Sequence, residues 1–335
     1  MLHKVVGFLG FVKTHLAFLI PIALTLGLAK GHYYPMAYSR MICISALLIM
    51  IFPVFVNLDI WKGIRQIPDN KGVLILSSVI NFIVYPSLAF GLGWIFLQNH
   101  PALWLGLIML SLVPTSGMTI NWTYFTKGNM HVAMGIVSIG ILVSVLVLPF
   151  YIPFITKTLM GVHDIPVSRE VILEKLFFVI ILPIIFGTIA RRLIVRFKGE
   201  DTFQRIKPIN ASISAFGVLV VSFLVMSLNS TQTMIRQFDI IWIALLPVVL
   251  FYVVMFLISH FIGAYFLSAE VMKPFFFGTA ARYHVITLGV ALGSFKDFDF
   301  VGGVVLMIAI GLAIQIPALA FYARWIQNNA VLPSE

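Results

Sequence analysis

PALWLGLIMLSLVPTSGMTINWTYFTKGN, residues 101–129, is an apolar segment long enough to cross a membrane, and a polar stretch interrupts it near the middle. Pro114 removes a backbone donor and Gly117 adds conformational freedom, so we expect the helix to break between residues 114 and 119. An ordinary kink, in which hydroxyl groups bond to carbonyls of their own helix, is the alternative for this segment taken alone. The side chains that we assign to a candidate binding site here are Thr115, Ser116, Thr119 and Asn121.

A second apolar segment, KPFFFGTAARYHVITLGVALGSF (residues 273–295), has a corresponding weak point at Gly278–His284. Arg282 lies in it and is the one charged residue well inside any apolar segment of the chain. An arginine at a helix centre costs about 2.5–3.5 kcal/mol on insertion scales, so such residues usually face a cavity or a partner. Arg282 either bonds to carbonyls that the broken helices expose or binds an anion, and the sequence favours the anion.

Tyr283 and His284 follow Arg282 directly, and we place all three in the candidate binding site. Two roles are open for His284. It can relay protons, because imidazole titrates near neutral pH, or it can stay neutral and act as a hydrogen-bonding group. A lone histidine beside a cavity is as often a neutral hydrogen-bonding residue, and the sequence favours that role.

The composition is that of a polytopic membrane protein. Of the 335 residues, 61% are apolar and 10% are charged, whereas a soluble domain is about 45–50% apolar. A soluble fold of this size has too little core to bury so many apolar side chains. The segments are apolar on every face, which favours helices over the alternating strands of a barrel. We predict ten spans, near residues 12–29, 40–58, 72–97, 102–125, 130–156, 173–194, 209–229, 239–267, 274–294 and 301–325.

Positive charges are distributed unevenly between the predicted loops. The termini and the loops after even-numbered spans carry fourteen Lys and Arg residues, whereas the other loops carry seven. Because positive loops stay in the cytoplasm during insertion, we expect both termini in the cytoplasm and the chain in the inner cell membrane. The stretch RRLIVRFKGEDTFQRIK, residues 191–207, is then a determinant of topology and not a nucleic-acid site.

That basic stretch separates two groups of five spans, in residues 1–157 and 158–335. An odd number of spans per half gives the halves opposite orientations, as in transporters built from inverted repeats. Each interrupted segment is the fourth span of its half, and such transporters bind substrate where their helices are interrupted. We therefore predict an all-α polytopic membrane protein of two inverted five-helix repeats, in which broken helices four and nine cross.

Enzyme and metal-site motifs are missing from the sequence. It contains no GxxxxGKS phosphate loop, HExxH zinc motif or nucleophile elbow. The single cysteine, Cys43, excludes an internal disulfide and a multi-cysteine metal site. We therefore expect no enzyme, no cofactor and no metal site. A non-transporting membrane receptor is one alternative to a transporter, but it gives no reason for a buried arginine at a helix break.

Several motifs of the chain are shared with a known group of membrane proteins. The similarity includes IFPVFVNLDIWKGI (51–64) and, more weakly, TAAR and LGVAL within residues 279–292. In the third and fourth spans the matching residues are Asn81, Pro86, Leu88, Phe90, Trp94, Pro114, Met118, Trp122, Tyr124, Thr126, Lys127 and Gly128. The chain thereby resembles the bile acid:sodium symporter superfamily, and within it most closely the arsenical-resistance (arsenite efflux) permeases.

The resemblance implies a panel and a core domain, two crossing broken helices, and secondary transport by alternating access. It also exposes departures from the pattern. The arsenite permeases have a cysteine at the position of Thr115 and an acidic residue at that of Val285. Compared with sodium-coupled members, Thr119 and Ile120 replace a Ser-Asn pair and His284 replaces a glutamine. These losses of oxygen ligands favour proton coupling or anion exchange over Na⁺.

The sequence thus predicts a secondary active transporter of a small anion, either an organic carboxylate or an oxyanion. Arsenite efflux without the fourth-span cysteine is the alternative within transport. The expected partners are the anionic small molecule and the lipid bilayer, and not nucleic acid.

Overall fold

The computed structural model describes residues 2–34, 39–114, 117–161, 169–228, 239–295 and 298–329, and these are almost entirely helical. The α-helices are α1 (Leu2–Thr14), α2 (Leu16–Tyr33), α3 (Ser39–Asn57), α4 (Ile60–Arg65), α5 (Lys71–Val79), α6 (Tyr85–Phe96), α7 (Pro101–Leu112), α8 (Gly117–Phe125), α9 (Met130–Phe154), α10 (Arg169–Leu176), α11 (Leu182–Met226), α12 (Asp239–Phe266), α13 (Ala269–Ala280), α14 (His284–Ser294) and α15 (Phe298–Asn329). A 3₁₀ turn spans Pro68–Asn70, and π-helical turns span Ile80–Val84, Ile155–Leu159 and Phe177–Ile181.

Membrane-length helices dominate the described residues. Five segments are each long and apolar enough to cross a membrane: Pro68–Phe96, Met130–Leu159, Arg169–Met226, Asp239–Phe266 and Phe300–Asn328. Gly7–Thr14 and Phe18–Tyr33 reach the required length only as a bent pair. The prediction of an all-α polytopic membrane protein is confirmed. The arrangement of ten spans in two inverted repeats stays a prediction.

The two interrupted segments lie at the centre of the molecule. Every residue of α7 from Ala102 to Leu112 is buried, and α13 is buried from Pro274 to Ala280. Large apolar side chains are exposed on the helices around them, such as Phe18 and Phe321, each 73% exposed. Extensive exposed apolar surface is typical of a face that contacts lipid.

Helices α2 and α11 meet backbone to backbone at Gly27. A Cβ atom added to Gly27 would lie 2.3 Å from the carbonyl oxygen of Phe223 and 2.9 Å from its Cα. The Ser227 hydroxyl also donates a hydrogen bond to the Gly27 carbonyl at 3.1 Å. Because the obstructing atoms are backbone, any larger residue at position 27 forces the helices apart.

We expect Gly27→Ala to lower the melting temperature of the purified protein, because overpacking of this kind costs about 1–3 kcal/mol. Gly10→Ala in α1 is the matched control, since a Cβ there meets nothing within 4 Å. Alanine is also the better helix former by about 1 kcal/mol, so the control is expected to keep or raise the melting temperature. Equal melting of the two variants in detergent would contradict the close approach of α2 and α11.

Candidate functional site

The first break follows from a local steric effect of proline. Val113 precedes Pro114, and the proline ring disfavours a helical conformation for the residue before it. Val113 accordingly leaves the helix, with φ −106° and ψ 88°, and α7 ends at Leu112. The next helix, α8, begins at Gly117. The interruption of this segment falls where the sequence indicates.

The second break lies against the first. Ala281, Arg282 and Tyr283 separate α13 from α14, and Ala281 has an extended backbone with φ −87° and ψ 130°. Arg282 and Pro114 form an antiparallel β-bridge. The Tyr283 N–H donates to the Val113 carbonyl at 3.0 Å. The two interruptions are therefore joined through their backbones, while the crossing of the helices at the membrane midplane stays a prediction.

The second break takes helical partners away from the last carbonyl groups of α13, among them those of Gly278 and Thr279. In a continuous helix, the N–H groups four residues later would bond to Gly278 and Thr279, but here the chain turns away. Side chains supply the missing donors. The amide of Asn81 donates to the Gly278 carbonyl at 3.2 Å, and the Arg282 guanidinium donates to the Thr279 carbonyl. The break is thus stabilised by polar groups that replace the helical hydrogen bonds.

The guanidinium of Arg282 connects the ends of α7 and α13. It is 1% exposed and donates to the carbonyl of Ser111 at 3.0 Å and to Oδ1 of Asn81 at 2.6 Å. Its central carbon lies 4.9 Å from the ring centroid of Tyr85, which adds a cation–π contact. Carboxyl ends of helices carry partial negative charge, which favours a cation there. None of the ion pairs among the described residues involves Arg282.

Asn81 lies in a π-helical turn, where the helix widens. Pro86 has no N–H to donate to the carbonyl four residues earlier, and the chain accommodates it with a π-helical turn, Ile80–Val84. The Tyr85 N–H accordingly bonds to the carbonyl of Ile80, five residues back. The Asn81 side chain is 2% exposed and bonds to both α13 and Arg282.

The other residues that the sequence assigns to the site have different positions. Thr119 is buried and donates to the Phe277 carbonyl at 3.1 Å, so it ties α8 to α13. Tyr283 is buried at the break, and His284 begins α14, with its Nε2 2.8 Å from the Tyr252 hydroxyl.

Asn121 is the one described site residue that the structure does not bring into this group. Asn121 is exposed on α8, two residues from the buried Thr119 and therefore on nearly the opposite side of the helix. Thr115 and Ser116 lie outside the described residues. The role of every one of these side chains in substrate binding stays a prediction.

Sequence reasoning underrated Asn81 and missed Gln315 and Tyr252. In the sequence, Asn81 stands out only as a residue shared with the related superfamily, whereas in the structure it bonds directly to Arg282. Gln315 of α15 is 2% exposed and accepts a hydrogen bond from the Arg282 N–H at 2.6 Å. The signal that marks Gln315 is its amide group, which stands alone within a long apolar run.

A polytopic helical membrane protein with paired helix breaks around a buried charge has the organisation of a secondary transporter. Comparison with known proteins supports that class. Residues 44–236 match the model of the Sodium Bile acid symporter family, and the chain belongs to this family. It is accordingly a member of a transporter family and not of an enzyme family, as the sequence predicts.

Individual relatives agree with this assignment. The chain is 26% identical over 305 residues to the arsenical-resistance protein Acr3 of Corynebacterium glutamicum, covering 86% of this chain and 80% of that protein. It is 20% identical over 336 residues to the Acr3 of Alkaliphilus metalliredigens, covering 93% and 91% respectively. An uncharacterized transporter of Synechocystis is 23% identical over 230 residues, covering 60% of this chain and 59% of that protein.

Proposed function

We propose that the protein is a secondary active transporter that moves a small anion by alternating access around the paired breaks. The observation that carries this proposal is the uncompensated charge of Arg282. It is buried, its partners are carbonyl and amide oxygens, and the ion pairs of the described residues do not include it. A carboxylate or oxyanion that enters beside it would neutralise the charge.

Hydrogen-bond donors at the breaks support an anionic substrate. The first N–H groups of a helix have no acceptor within that helix and carry partial positive charge, and both α8 and α14 begin at the breaks. Nε of Arg282 and the hydroxyl of Tyr283 are buried without a partner among the described residues. We assign these groups to substrate binding, together with Thr119 and His284. Arg282 then acts on the substrate mainly through its charge, because most N–H groups of its guanidinium already donate to protein oxygens.

Uptake into proteoliposomes tests the proposal. The probes are radiolabelled lactate, succinate, inorganic phosphate and arsenite, with empty liposomes as the control. We expect saturable uptake of at least one of the three anions. Arsenite at neutral pH is mostly uncharged arsenous acid, which gains nothing from a fixed positive charge. Uptake of arsenite alone would overturn the assignment of an anionic substrate.

Arsenical export is the second candidate, and the names of two relatives favour it. Both are arsenical-resistance proteins that align with more than four-fifths of this chain. Against it, Thr115 occupies the position at which arsenite permeases have a cysteine. A hydroxyl group is a poor ligand for trivalent arsenic compared with a thiolate.

Contacts between helix ends support ten spans in two halves, residues 1–157 and 158–335, with both termini in the cytoplasm. Arg191 pairs with Asp59 at 3.1 Å, so the end of α3 lies beside the basic stretch within α11. The N–H of Asn129 donates to the carbonyl of Glu270 at 2.9 Å. The topology requires each of these pairs to lie on one side of the membrane. At Gly199, φ is 80°, and this interruption divides α11 into two potential spans.

We expect the flux of the transported anion to continue when choline replaces Na⁺ at fixed pH and voltage. Na⁺ is bound by clusters of oxygen atoms, and at the breaks such oxygens are already occupied by the guanidinium of Arg282. Flux should instead respond to a pH gradient or to an anion loaded on the opposite side. Flux that stops in choline medium would contradict this expectation.

A further inference from the structure

Gln315 pairs with the backbone of Arg282 as a neighbouring β-strand would. Oε1 of Gln315 accepts from the Arg282 N–H at 2.6 Å, and Nε2 donates to the Arg282 carbonyl at 3.1 Å. In an antiparallel sheet, two opposed residues exchange the same pair of bonds. Pro114 forms the β-bridge to Arg282. Arg282, at the second break, is therefore held by the backbone of Pro114 on one side and by the side chain of Gln315 on the other.

These two bonds fix which way the amide of Gln315 points. The Arg282 N–H requires an acceptor and its carbonyl requires a donor, so oxygen and nitrogen cannot be exchanged without breaking both bonds. The same side chain then reaches two more groups. Its Nε2 is 3.5 Å from Nδ1 of His284, and its Oε1 is 3.3 Å from the hydroxyl of Tyr252.

The amide orientation favours one tautomer of His284. An amide nitrogen can only donate, so beside Gln315 Nε2 the Nδ1 of His284 acts as acceptor and carries no hydrogen, while the ring also contacts the backbone of Arg282 and Gly311. Nε2 then carries the hydrogen and donates to the oxygen of Tyr252 at 2.8 Å. The Tyr252 hydroxyl in turn donates to Gln315 Oε1. A closed ring of three side chains results, and it requires a neutral imidazole at the first residue of α14.

We propose that Gln315 is a positioning residue for transport: it sets the extended backbone of Arg282 and holds His284 as the neutral Nε2–H tautomer. The inference rests on the proposed function, in which the paired breaks are the centre of transport. It adds that α15, through one amide, controls the geometry of the second break. Arg282 can hold the carbonyls of α7 and α13 only while its own backbone stays extended.

Gln315→Glu tests this geometry through pH. A protonated carboxyl group has one acceptor oxygen and one donor hydroxyl, so it reproduces the pair of bonds to Arg282. A carboxylate has no donor and repels the Arg282 carbonyl. The ionisable groups that contact Gln315 are Arg282, His284 and Tyr252. Helix α7, which also packs against α15, has no ionisable side chain within Pro101–Leu112.

Thermal unfolding of the purified full-length protein is the first measurement, from about pH 5 to about pH 9. For Gln315→Glu we expect a melting temperature near that of the parent at acidic pH and a progressive loss as pH rises, relative to the parent. The melting temperature of Gln315→Leu should be lower than that of the parent at every pH. Gln98→Glu, an exchange of the same two residue types at an exposed turn, is the matched control and should follow the parent. A Gln315→Glu variant that follows the parent at every pH would overturn the proposal.

Side-chain ¹⁵N spectra of His284 are the second measurement. We expect the neutral Nε2–H tautomer in the parent and a loss of that single state in Gln315→Leu. An imidazolium in the parent, or an unchanged spectrum in the variant, would overturn the proposal.

Uptake of lactate, succinate and phosphate is the third measurement. As pH rises, uptake by Gln315→Glu should fall together with its melting temperature. Uptake by this variant at the level of the parent at alkaline pH would also overturn the proposal. If the parent itself transports none of these probes, the proposed substrate class fails, while melting and tautomer still decide the role of Gln315.

Discussion

Replacement of Arg282 by alanine is expected to lower the stability of the ligand-free protein by several kcal/mol and to abolish transport. The guanidinium supplies donors to the carbonyls of Ser111 and Thr279 and to Oδ1 of Asn81, and all of these lie in the buried centre. A buried polar group that loses its partner costs about 1–3 kcal/mol. Three stranded acceptors and the cavity left by a large buried side chain therefore act together.

The measurement is the melting temperature without ligand, together with uptake by the same preparation. Arg324→Ala is the matched control, since Arg324 is exposed on α15, the helix that also carries Gln315. We expect the control to melt and transport like the parent. If Arg282→Ala also melts like the parent, the guanidinium does not hold the broken helices and our assignment of its role is wrong.

Replacement of Asn81 by leucine is the second substitution with a large expected effect. It strands the carbonyl of Gly278 and removes one acceptor from the guanidinium of Arg282, which keeps its two carbonyl partners. We expect a loss of roughly 2–5 kcal/mol, from one buried unpaired carbonyl and one lost hydrogen bond to a buried charged group. Asn99→Leu, an exchange of the same two residue types at an exposed turn, should leave melting and uptake unchanged.

A double-mutant cycle shows whether Asn81 acts through Arg282. Residues that share one hydrogen-bond network have non-additive effects, commonly by about 0.5–3 kcal/mol. Because Arg282→Ala already removes one of the two partners of Asn81, Asn81→Leu should cost less in that background than in the parent. Fully additive losses would show that the Asn81–Arg282 bond does not contribute.

The first break could be predicted from the sequence because its cause is local. Pro114 restricts Val113, and both the steric rule and the residue are visible in the chain itself. The second break has no proline between its helices. Its backbone is held by Val113 and by Gln315, which is 33 residues away in sequence. In the sequence, that segment is indicated by the charge of Arg282 and by its place as the fourth span of its half.

The candidate site was predictable to a similar extent. Helical periodicity separates Thr119 from Asn121, since residues two apart face nearly opposite directions, and that argument could have removed Asn121 from the buried group. The partners of Arg282 could not be predicted, because two of them are backbone carbonyls whose availability depends on where the helices end. The sequence favoured an anion as the acceptor for the N–H groups of Arg282, whereas in the structure most of these groups donate to oxygens of the protein.

Melting of Arg282→Lys without ligand is the measurement that tests the central claim most directly. Lysine keeps the positive charge but lacks the planar fork, so it cannot hold the ends of α7 and α13 together with Asn81. If Arg282 joins the broken helices, the ligand-free melting temperature should fall for Arg282→Lys and fall further for Arg282→Ala. An unchanged ligand-free melting temperature for Arg282→Lys, combined with lost uptake of the transported anion, would contradict the account, because Arg282 would then bind the substrate without holding the broken helices.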